Sequence, residues 1–275
     1  MHIMAMELSI WSSYYIELSP EDAILRLKQN GLNSVELSDE HGLAILSRSS
    51  DPVSEGRKFG EYAKSIGMDI PQGHLWLRVQ LVRDENAIER MKQWLDLFEA
   101  IGIKNMVLHI DNCGGLIYSK EDIYKANAEK LRMLTDYIGE REIFICLENL
   151  IAEGTNSIDD LLAIIDMVGS DKIGITLDTG HLNVSKTSSQ KEFIYKAGNK
   201  LRALHIADNE GASDQHLMPY GKGNVDFDEV ISALRDIGYE GILNYEIPGE
   251  NRCPIEVRDM KTKYVIDSYG YLMNK

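Results

Sequence analysis

Short apolar strands and longer amphipathic stretches alternate along the chain, and this alternation strongly limits the folds that are open to it. The pattern predicts strands at residues 3–10, 34–38, 68–74, 105–110, 143–148, 173–178, 201–205 and 242–246. Helical periodicity between and after them predicts helices at 20–30, 51–66, 84–101, 120–139, 157–168, 189–199, 226–237 and 255–273. Strands that alternate with helices are typical of a parallel sheet.

The predicted strands are near-continuous apolar runs, as in Ile143-Phe-Ile-Cys-Leu-Glu148. Strands of this composition are buried on both faces. Eight such strand–helix units predict an α/β protein with a parallel (β/α)₈ barrel, rather than an open doubly wound sheet. Because the 275 residues are 44% hydrophobic and include no Pro/Gly/Ser-rich linker, residues 1–275 are expected to form a single domain.

Polar side chains fall at the carboxyl ends of six separate predicted strands. These residues are His74, His109, Glu148, Asp178, His205 and Glu246. In a (β/α)₈ barrel this end of the strands carries the active site. A lone histidine at a strand end is more often a hydrogen-bonded core residue, but six such residues on one rim predict a shared site.

The acidic members of this set predict a metal ion. If Glu148, Asp178 and Glu246 converge without a cation, they repel one another and lose their hydration at high cost. Together with His205 they therefore predict a bound divalent metal. Oxygen-rich ligation with one imidazole suits Mn²⁺, Mg²⁺, Co²⁺ or Zn²⁺, and the sequence does not separate these. A small-residue turn after Asp178 is expected to bring His181 back beside that carboxylate.

The overall charge indicates which partners to expect. The chain has 44 acidic and 29 basic residues, a formal net charge of −15. Nucleic-acid binding normally shows as a basic footprint, and the loops at 111–119, 149–156 and 207–216 contain no Lys or Arg. Neither nucleic acid nor a membrane is therefore an expected partner, and no apolar run approaches the ~20 residues of a membrane span. Three widely spaced cysteines favour a reducing cytoplasm, and a homo-oligomer is left open.

Five segments of the sequence resemble the xylose isomerase-like barrels, a family of sugar isomerases, sugar epimerases, inosose dehydratases and type IV apurinic endonucleases. The segments are Leu147-Glu-Asn149, Leu177-Asp-Thr-Gly-His181, Leu204-His-Ile-Ala-Asp208, Asp214-Gln-His216 followed by Pro219-Tyr-Gly-Lys-Gly223, and Asn244-Tyr-Glu-Ile247. The resemblance covers essentially the whole chain. It implies one divalent metal ion held by Glu148, Asp178, His205 and Glu246, and it places His181 where sugar epimerases contact the substrate.

The resemblance and the charges of the site together imply a metal-dependent isomerase or epimerase. Its substrate is expected to be a ketose, a sugar phosphate or a related polyol ketone, which reacts through an enediolate. Glu148 and Glu246 are the candidate acid and base, with metal ligation alone as the alternative role. The residues expected to contact the carbohydrate are His74, His109, His181, Asp214 and His216.

Two features limit this assignment. Ketohexose 3-epimerases with this barrel usually have Asn-Arg after the histidine of strand seven, whereas this chain has Asp208-Asn-Glu210. The nine positions that match the ligands of the three-zinc endonucleases are also all present, namely His74, His109, Glu148, Asp178, His181, His205, Asp214, His216 and Glu246. A type IV-like apurinic endonuclease that acts on abasic DNA is therefore the alternative function. It ranks second because the strand–helix loops named above lack basic residues and because the Asp-x-His segment also occurs in single-metal sugar enzymes.

Overall fold

A computed structural model describes residues 6–115, 119–249 and 252–275 of the chain. Within these ranges it has eight strands: β1 (Leu8–Trp11), β2 (Ser34–Leu37), β3 (Asp69–His74), β4 (Asn105–His109), β5 (Phe144–Glu148), β6 (Ile173–Asp178), β7 (Leu201–His205) and β8 (Leu243–Tyr245). Each overlaps a predicted strand. Residues 3–5 of the first predicted strand lie outside the described ranges.

The same ranges contain ten α-helices: α1 (Pro20–Gln29), α2 (Asp39–Leu46), α3 (Pro52–Ser65), α4 (Ala87–Ile101), α5 (Lys120–Ile138), α6 (Ile158–Val168), α7 (Thr179–Ser185), α8 (Gln190–Ala197), α9 (Phe227–Asp236) and α10 (Ile255–Met273). Eight of them match predicted helices to within three residues at either end. No helix within the described ranges has the length and apolar character needed to cross a bilayer.

The strands form one parallel sheet in the order β7-β6-β5-β4-β3-β2-β1-β8. A bridge between Ile206 and Tyr245 joins the ends of β7 and β8. There the Ile206 N–H donates to Asn244 O at 2.7 Å, and the Glu246 N–H donates to Ile206 O at 3.2 Å. The sheet therefore closes on itself, and the predicted (β/α)₈ barrel is confirmed.

Burial on both faces of the sheet explains the apolar strands. Every residue of β6 is buried, including the terminal Asp178. One continuous core joins strand residues to the inner faces of the helices. On α4, Trp94 and Phe98 lie in this core with their ring centroids 5.4 Å apart in an edge-to-face arrangement. The helices thus supply the second layer that covers the barrel.

Local sequence sets the helix boundaries. The Ser19 side chain accepts a hydrogen bond from the backbone of α1, and Ser157 forms a capping box at the start of α6. At the other end of a helix, Gly102 takes the left-handed conformation with φ 107° and stops α4. The helices therefore begin and end close to the predicted boundaries, because the capping residues could be recognised in the sequence.

The α3–α4 contact depends on two glycines. A Cβ at Gly56 would lie 2.5 Å from Leu97 O, and a Cβ at Gly60 would lie 2.5 Å from Ile101 O. Both distances are too short for carbon and oxygen, so the two helices approach closely only because these positions lack side chains.

Two helices, α2 and α7, lie outside the predicted helical segments. They are only 8 and 7 residues long, too short for a helical repeat to show clearly in the sequence. Both begin directly at a strand end. Ser38 caps α2 at His41 N, and Asp178 caps α7 by accepting a hydrogen bond from His181 N at 2.6 Å.

Candidate metal centre

All six polar residues predicted at strand ends lie at the same rim of the barrel. The last residues of β3, β4, β5, β6 and β7 are His74, His109, Glu148, Asp178 and His205, and Glu246 follows β8 directly. In the sheet, His109 lies opposite Glu148 and Asp178 lies opposite His205. Closure of the barrel brings Glu246 beside them.

Four of these residues form a compact group, which we call the central cluster: Glu148, Asp178, His205 and Glu246. Each offers one ligand atom, and the four atoms lie within 4.8 Å of one another. The Nδ1 atom of His205 lies 3.1 Å from Glu148 Oε1 and 3.2 Å from Glu246 Oε2. All four side chains are buried.

Two carboxylate oxygens of the central cluster, Glu148 Oε2 and Asp178 Oδ2, have no hydrogen-bond partner within the described part of the chain. His109 Nε2 lies 2.8 Å and His74 Nε2 lies 3.5 Å from Glu148 Oε2, but neither is oriented to donate a hydrogen bond to it. A buried carboxylate oxygen without a partner is costly. The donor set of the central cluster therefore fits a divalent cation.

The electrostatics of the cluster agree with this fit. Burial opposes ionisation of Glu148, yet the charges of His205 and His109 hold its pKa well below the usual range. Burial also opposes protonation of His205, but Glu246, Glu36 and Glu148 raise its pKa well above the usual range. The pocket thus has an excess of negative charge that favours either protons or a cation.

His74 and His109 lie beside the central cluster and form a second group with Glu148, again with ligand atoms within 4.8 Å of one another. Their ring centroids are 4.9 Å apart. The Nδ1 atom of His74 lies 2.6 Å from the carbonyl oxygen of Leu75, which accepts a hydrogen bond from it. Nε2 is therefore the ring nitrogen of His74 that faces Glu148.

His181, Asp214 and His216 form a third group, nearer the surface. Asp214 Oδ2 lies 3.2 Å from His181 Nε2 and 3.1 Å from His216 Nε2, and His216 Nδ1 lies 2.8 Å from Glu246 O. Burial lowers the pKa of His216, but Asp214 and Glu246 raise it to about 10. Four of the five residues expected to contact substrate therefore lie next to the central cluster, and Asp214 is joined to it through His181 and His216.

Asn149, the last residue of the Leu-Glu-Asn segment, joins the ends of β5 and β6. The Asp178 N–H donates to Asn149 Oδ1 at 2.8 Å, and Asn149 Nδ2 donates to Asp178 O at 3.0 Å. His181 Nδ1 lies 2.9 Å from Asn149 O. One amide thus fixes the positions of a central carboxylate and a neighbouring imidazole.

Asp208 anchors the loop that carries Asp214 and His216. It pairs with Leu217 through two backbone hydrogen bonds of 2.9 and 2.7 Å. A Cβ at Gly223 would lie 2.0 Å from Asp208 Oδ1, so the turn after this loop requires glycine there. The Pro-x-Gly-x-Gly segment is therefore part of the support of the third group.

Glu36 is a buried carboxylate that the sequence interpretation missed. It lies within β2, is 0% exposed, and places Oε1 3.1 Å from His205 Nε2. Its Oε2 accepts hydrogen bonds from Gln72 Nε2 at 2.8 Å and from Asn244 Nδ2. The sequence did contain a signal for this residue. A charged side chain inside a strand that is covered on both faces must be buried, and a buried charge indicates a functional or structural role.

The fold and the site define a class of protein: the chain belongs to the xylose isomerase-like TIM barrel family. The family model matches residues 24–267. Among solved structures, a D-psicose 3-epimerase in the presence of D-fructose has a TM-score of 0.78 at 18% identity, covering 98% of this chain and 100% of that one. A D-tagatose 3-epimerase-like protein has a TM-score of 0.77 at 21% identity, with 98% of each chain covered.

Particular relatives are named as sugar epimerases and isomerases. The D-psicose 3-epimerase of Enterocloster bolteae is 29% identical over 195 residues, which are 66% of this chain and 62% of that protein. The inosose isomerase of Bacillus velezensis is 27% identical over 177 residues, 60% and 62% of the two chains. The fructoselysine 3-epimerase of Escherichia coli O157:H7 is 32% identical over 123 residues, 44% of each chain.

These matches span less than two thirds of the length of the curated relatives. All three relatives are named as isomerases or epimerases, and none of the three is named as an endonuclease.

Proposed function

We propose that this chain is a divalent-metal-dependent isomerase or epimerase of a ketose, a sugar phosphate or a related polyol ketone. The observation that carries the proposal is the central cluster, in which three carboxylates and one imidazole converge at the rim of the barrel where active sites lie. The names of the relatives support a carbohydrate substrate.

Glu148, Asp178, His205 and Glu246 are the residues that would hold the metal ion. Mn²⁺, Mg²⁺, Co²⁺ and Zn²⁺ all accept this mixture of oxygen and nitrogen ligands. When bound, a divalent cation supplies charge stabilisation for adjacent carbonyl and hydroxyl oxygens of a sugar, and so acidifies the C–H between them. The unpaired oxygens of Glu148 and Asp178 support this assignment.

Glu148 and Glu246 are the proposed proton-transfer groups. Both lie near His205 Nδ1, at 3.1 and 3.2 Å, with Glu148 at the end of β5 and Glu246 directly after β8. One carboxylate removes the acidified proton, and the other delivers a proton to the opposite face of the same carbon in epimerisation. Return of a proton to the neighbouring carbon gives isomerisation instead.

The five flanking residues are proposed to bind and orient the sugar. His74 and His109 present ring nitrogens on one side of the central cluster, and the third group lies on another. Imidazoles and a carboxylate both form hydrogen bonds with sugar hydroxyls. The proposed contacts are His74, His109, His181, Asp214 and His216.

Two broader expectations belong to the same proposal. We propose that residues 1–275 act as one domain, which the closed sheet and the continuous core support. We also propose a cytoplasmic location, supported by the free thiols of Cys113, Cys146 and Cys253.

The test is solvent exchange in D₂O across a panel of ketoses, ketose phosphates and inososes. The metal-loaded protein is expected to incorporate deuterium at a carbon next to the substrate carbonyl, and the chelated protein is not. Because direct internal return of the proton hides part of the label, product formation is measured in parallel. Metal-dependent nicking of abasic duplex DNA at physiological salt, with neither exchange nor product on any sugar, would refute the proposal.

A further inference from the structure

The side of His205 that faces away from the central cluster contacts another carboxylate. His205 Nδ1 points to Glu148 and Glu246, whereas Nε2 lies 3.1 Å from Glu36 Oε1. Both His205 and Glu36 are 0% exposed. The imidazole therefore lies between the cluster and a second layer of buried polar groups that neither the family match nor the named relatives assign.

Glu36 is itself fixed in place by two amides. Gln72 Nε2 donates to Oε2 at 2.8 Å, and Asn244 Nδ2 donates to the same oxygen. Asn244 is oriented in turn by Ser9, whose hydroxyl donates to Asn244 Oδ1 at 2.9 Å. Because both amides donate to Oε2, Oε1 is the oxygen left to accept a hydrogen bond from His205 Nε2.

We propose that Glu36 is a positioning residue that holds the proton of His205 on Nε2 and so keeps the lone pair of Nδ1 directed at the central cluster. The inference rests on the proposed metal site and deepens it. A histidine that ligates a metal through one nitrogen commonly donates its other N–H to a carboxylate, which fixes the tautomer and the orientation of the ring. Here the carboxylate comes from β2, a strand that contributes no member of the central cluster.

The substitution Glu36→Gln separates this role from simple packing, because it preserves the volume of the side chain. Its amide oxygen is expected to remain against the two donors, Gln72 Nε2 and Asn244 Nδ2. The new NH₂ group then faces His205 Nε2, which must accept a hydrogen bond instead of donating one. The imidazole proton moves to Nδ1 and removes the lone pair that the metal needs.

The first measurement is the affinity of the purified protein for Zn²⁺ by competition with a chromogenic chelator. Glu36→Gln is expected to weaken binding by about 10- to 100-fold. The matched control is Asp160→Asn, since Asp160 is also buried but contacts Tyr124 and Ser157 at the start of α6. The control is expected to bind Zn²⁺ as the wild type does, and circular dichroism checks the fold of both variants.

The second measurement uses the wild-type protein, so it remains decisive if Glu36→Gln does not fold. In ¹⁵N-histidine protein, the His205 signals are assigned in the metal-free state by their absence from His205→Ala, and they are then followed as the wild-type protein is titrated with ¹¹³Cd²⁺. Coupling of cadmium to Nδ1, with a proton retained on Nε2, supports the proposal. Coupling to Nε2, or a folded Glu36→Gln protein with unchanged Zn²⁺ affinity, overturns it while leaving the metal site intact. A wild-type protein that binds neither ion overturns the metal site as well.

Discussion

At the scale of single residues, Glu148 and Glu246 lie at similar distances from His205 Nδ1 but in different surroundings. Glu148 is 1% exposed and has His109 Nε2 2.8 Å from its Oε2. Glu246 is 6% exposed and has His216 Nδ1 3.6 Å from its Oε2. The two carboxylates thus lie against different histidines.

The first prediction concerns these two glutamates. Glu148→Gln and Glu246→Gln are each expected to lower kcat by about 10²- to 10⁴-fold, because each change removes a group that is proposed both to transfer a proton and to hold the metal ion. The measurement is the steady-state rate on the best substrate from the sugar panel, at saturating metal.

Glu210→Gln is the control, because Glu210 lies exposed on the loop after β7 and contacts Lys222 and Gln215. It is expected to retain the wild-type rate. Near wild-type turnover by either Glu148→Gln or Glu246→Gln would exclude the mechanism with two glutamates.

The second prediction concerns the third group. Asp214→Ala and His216→Ala are expected to raise KM by about 10- to 100-fold, because hydrogen bonds to charged groups contribute about 1.5–3 kcal/mol. One tightly bound metal should remain, since the four residues of the central cluster are unchanged. Metal content by mass spectrometry and KM are measured together, with Ser213→Ala, an exposed neighbour on the same loop, as the control. If the wild type cleaves abasic DNA and these variants lose both a metal ion and that cleavage, the site is a three-zinc centre instead.

At the scale of secondary-structure elements, the close approach of α3 and α4 leads to a third prediction. Gly60→Ala is expected to destabilise the protein by about 1–3 kcal/mol, because the added Cβ meets Ile101 O on α4. Gly270→Ala on α10 is the matched control, because nothing lies within 4 Å of its Cβ position. That substitution should stabilise the protein by about 0.4–1 kcal/mol. Urea unfolding measures both, and equal effects would show that helix propensity alone decides.

A fourth prediction concerns the attachment of α10 to α1. Asp259 on α10 contacts Arg26 Nη2 at 2.6 Å and accepts hydrogen bonds from the Tyr15 hydroxyl and Asn30 Nδ2. The hydrogen bond from Arg26 is the main cause that lowers the pKa of Asp259 to about 2. Folding therefore favours the ionised carboxylate, and its contribution to stability is present above the unfolded pKa of about 3.9.

This contribution is lost as the pH falls from about 3.9 to about 2. Asp259→Asn is accordingly expected to lower the free energy of unfolding by about 1–2 kcal/mol at pH 7, with the difference from wild type shrinking through that range. Urea titrations at several pH values measure it. Asp267→Asn, at an exposed ion pair with Lys263 of the same helix, should show little of this dependence. A difference that stays constant down to pH 2 would contradict the assignment.

The secondary-structure elements also differ in how well they could be predicted from the sequence. The strand ends were predictable because each is an apolar run that stops at a polar residue, as at Glu148 and Asp178. The helices α2 and α7 were not, since each has about two turns and is defined mainly by its cap. Glu36 was missed because it sits inside a strand and meets His205 only when β2 and β7 face each other across the closed barrel.

At the scale of the whole molecule, the fifth prediction concerns metal content and stability. Protein purified without added metal is expected to contain about one divalent ion per chain. A ligand at 100 times its Kd stabilises the folded state by about 2.7 kcal/mol, so chelation should lower the melting temperature. The measurements are elemental analysis and calorimetry, with His205→Ala expected to fold but to show no response to the chelator. About three zinc ions per chain would support the endonuclease alternative.

Closure of the barrel through β8 also bears on how the site is made during translation. Glu148, Asp178 and His205 are synthesised before β8, but Glu246 follows it, and β8 joins β7 to β1. A nascent chain that ends at α9 therefore has an open sheet and three of the four residues of the cluster. Sealing of the barrel and completion of the central cluster therefore coincide with the emergence of β8 from the ribosome, and the unfinished chain lacks one of the four side chains proposed to hold the metal ion.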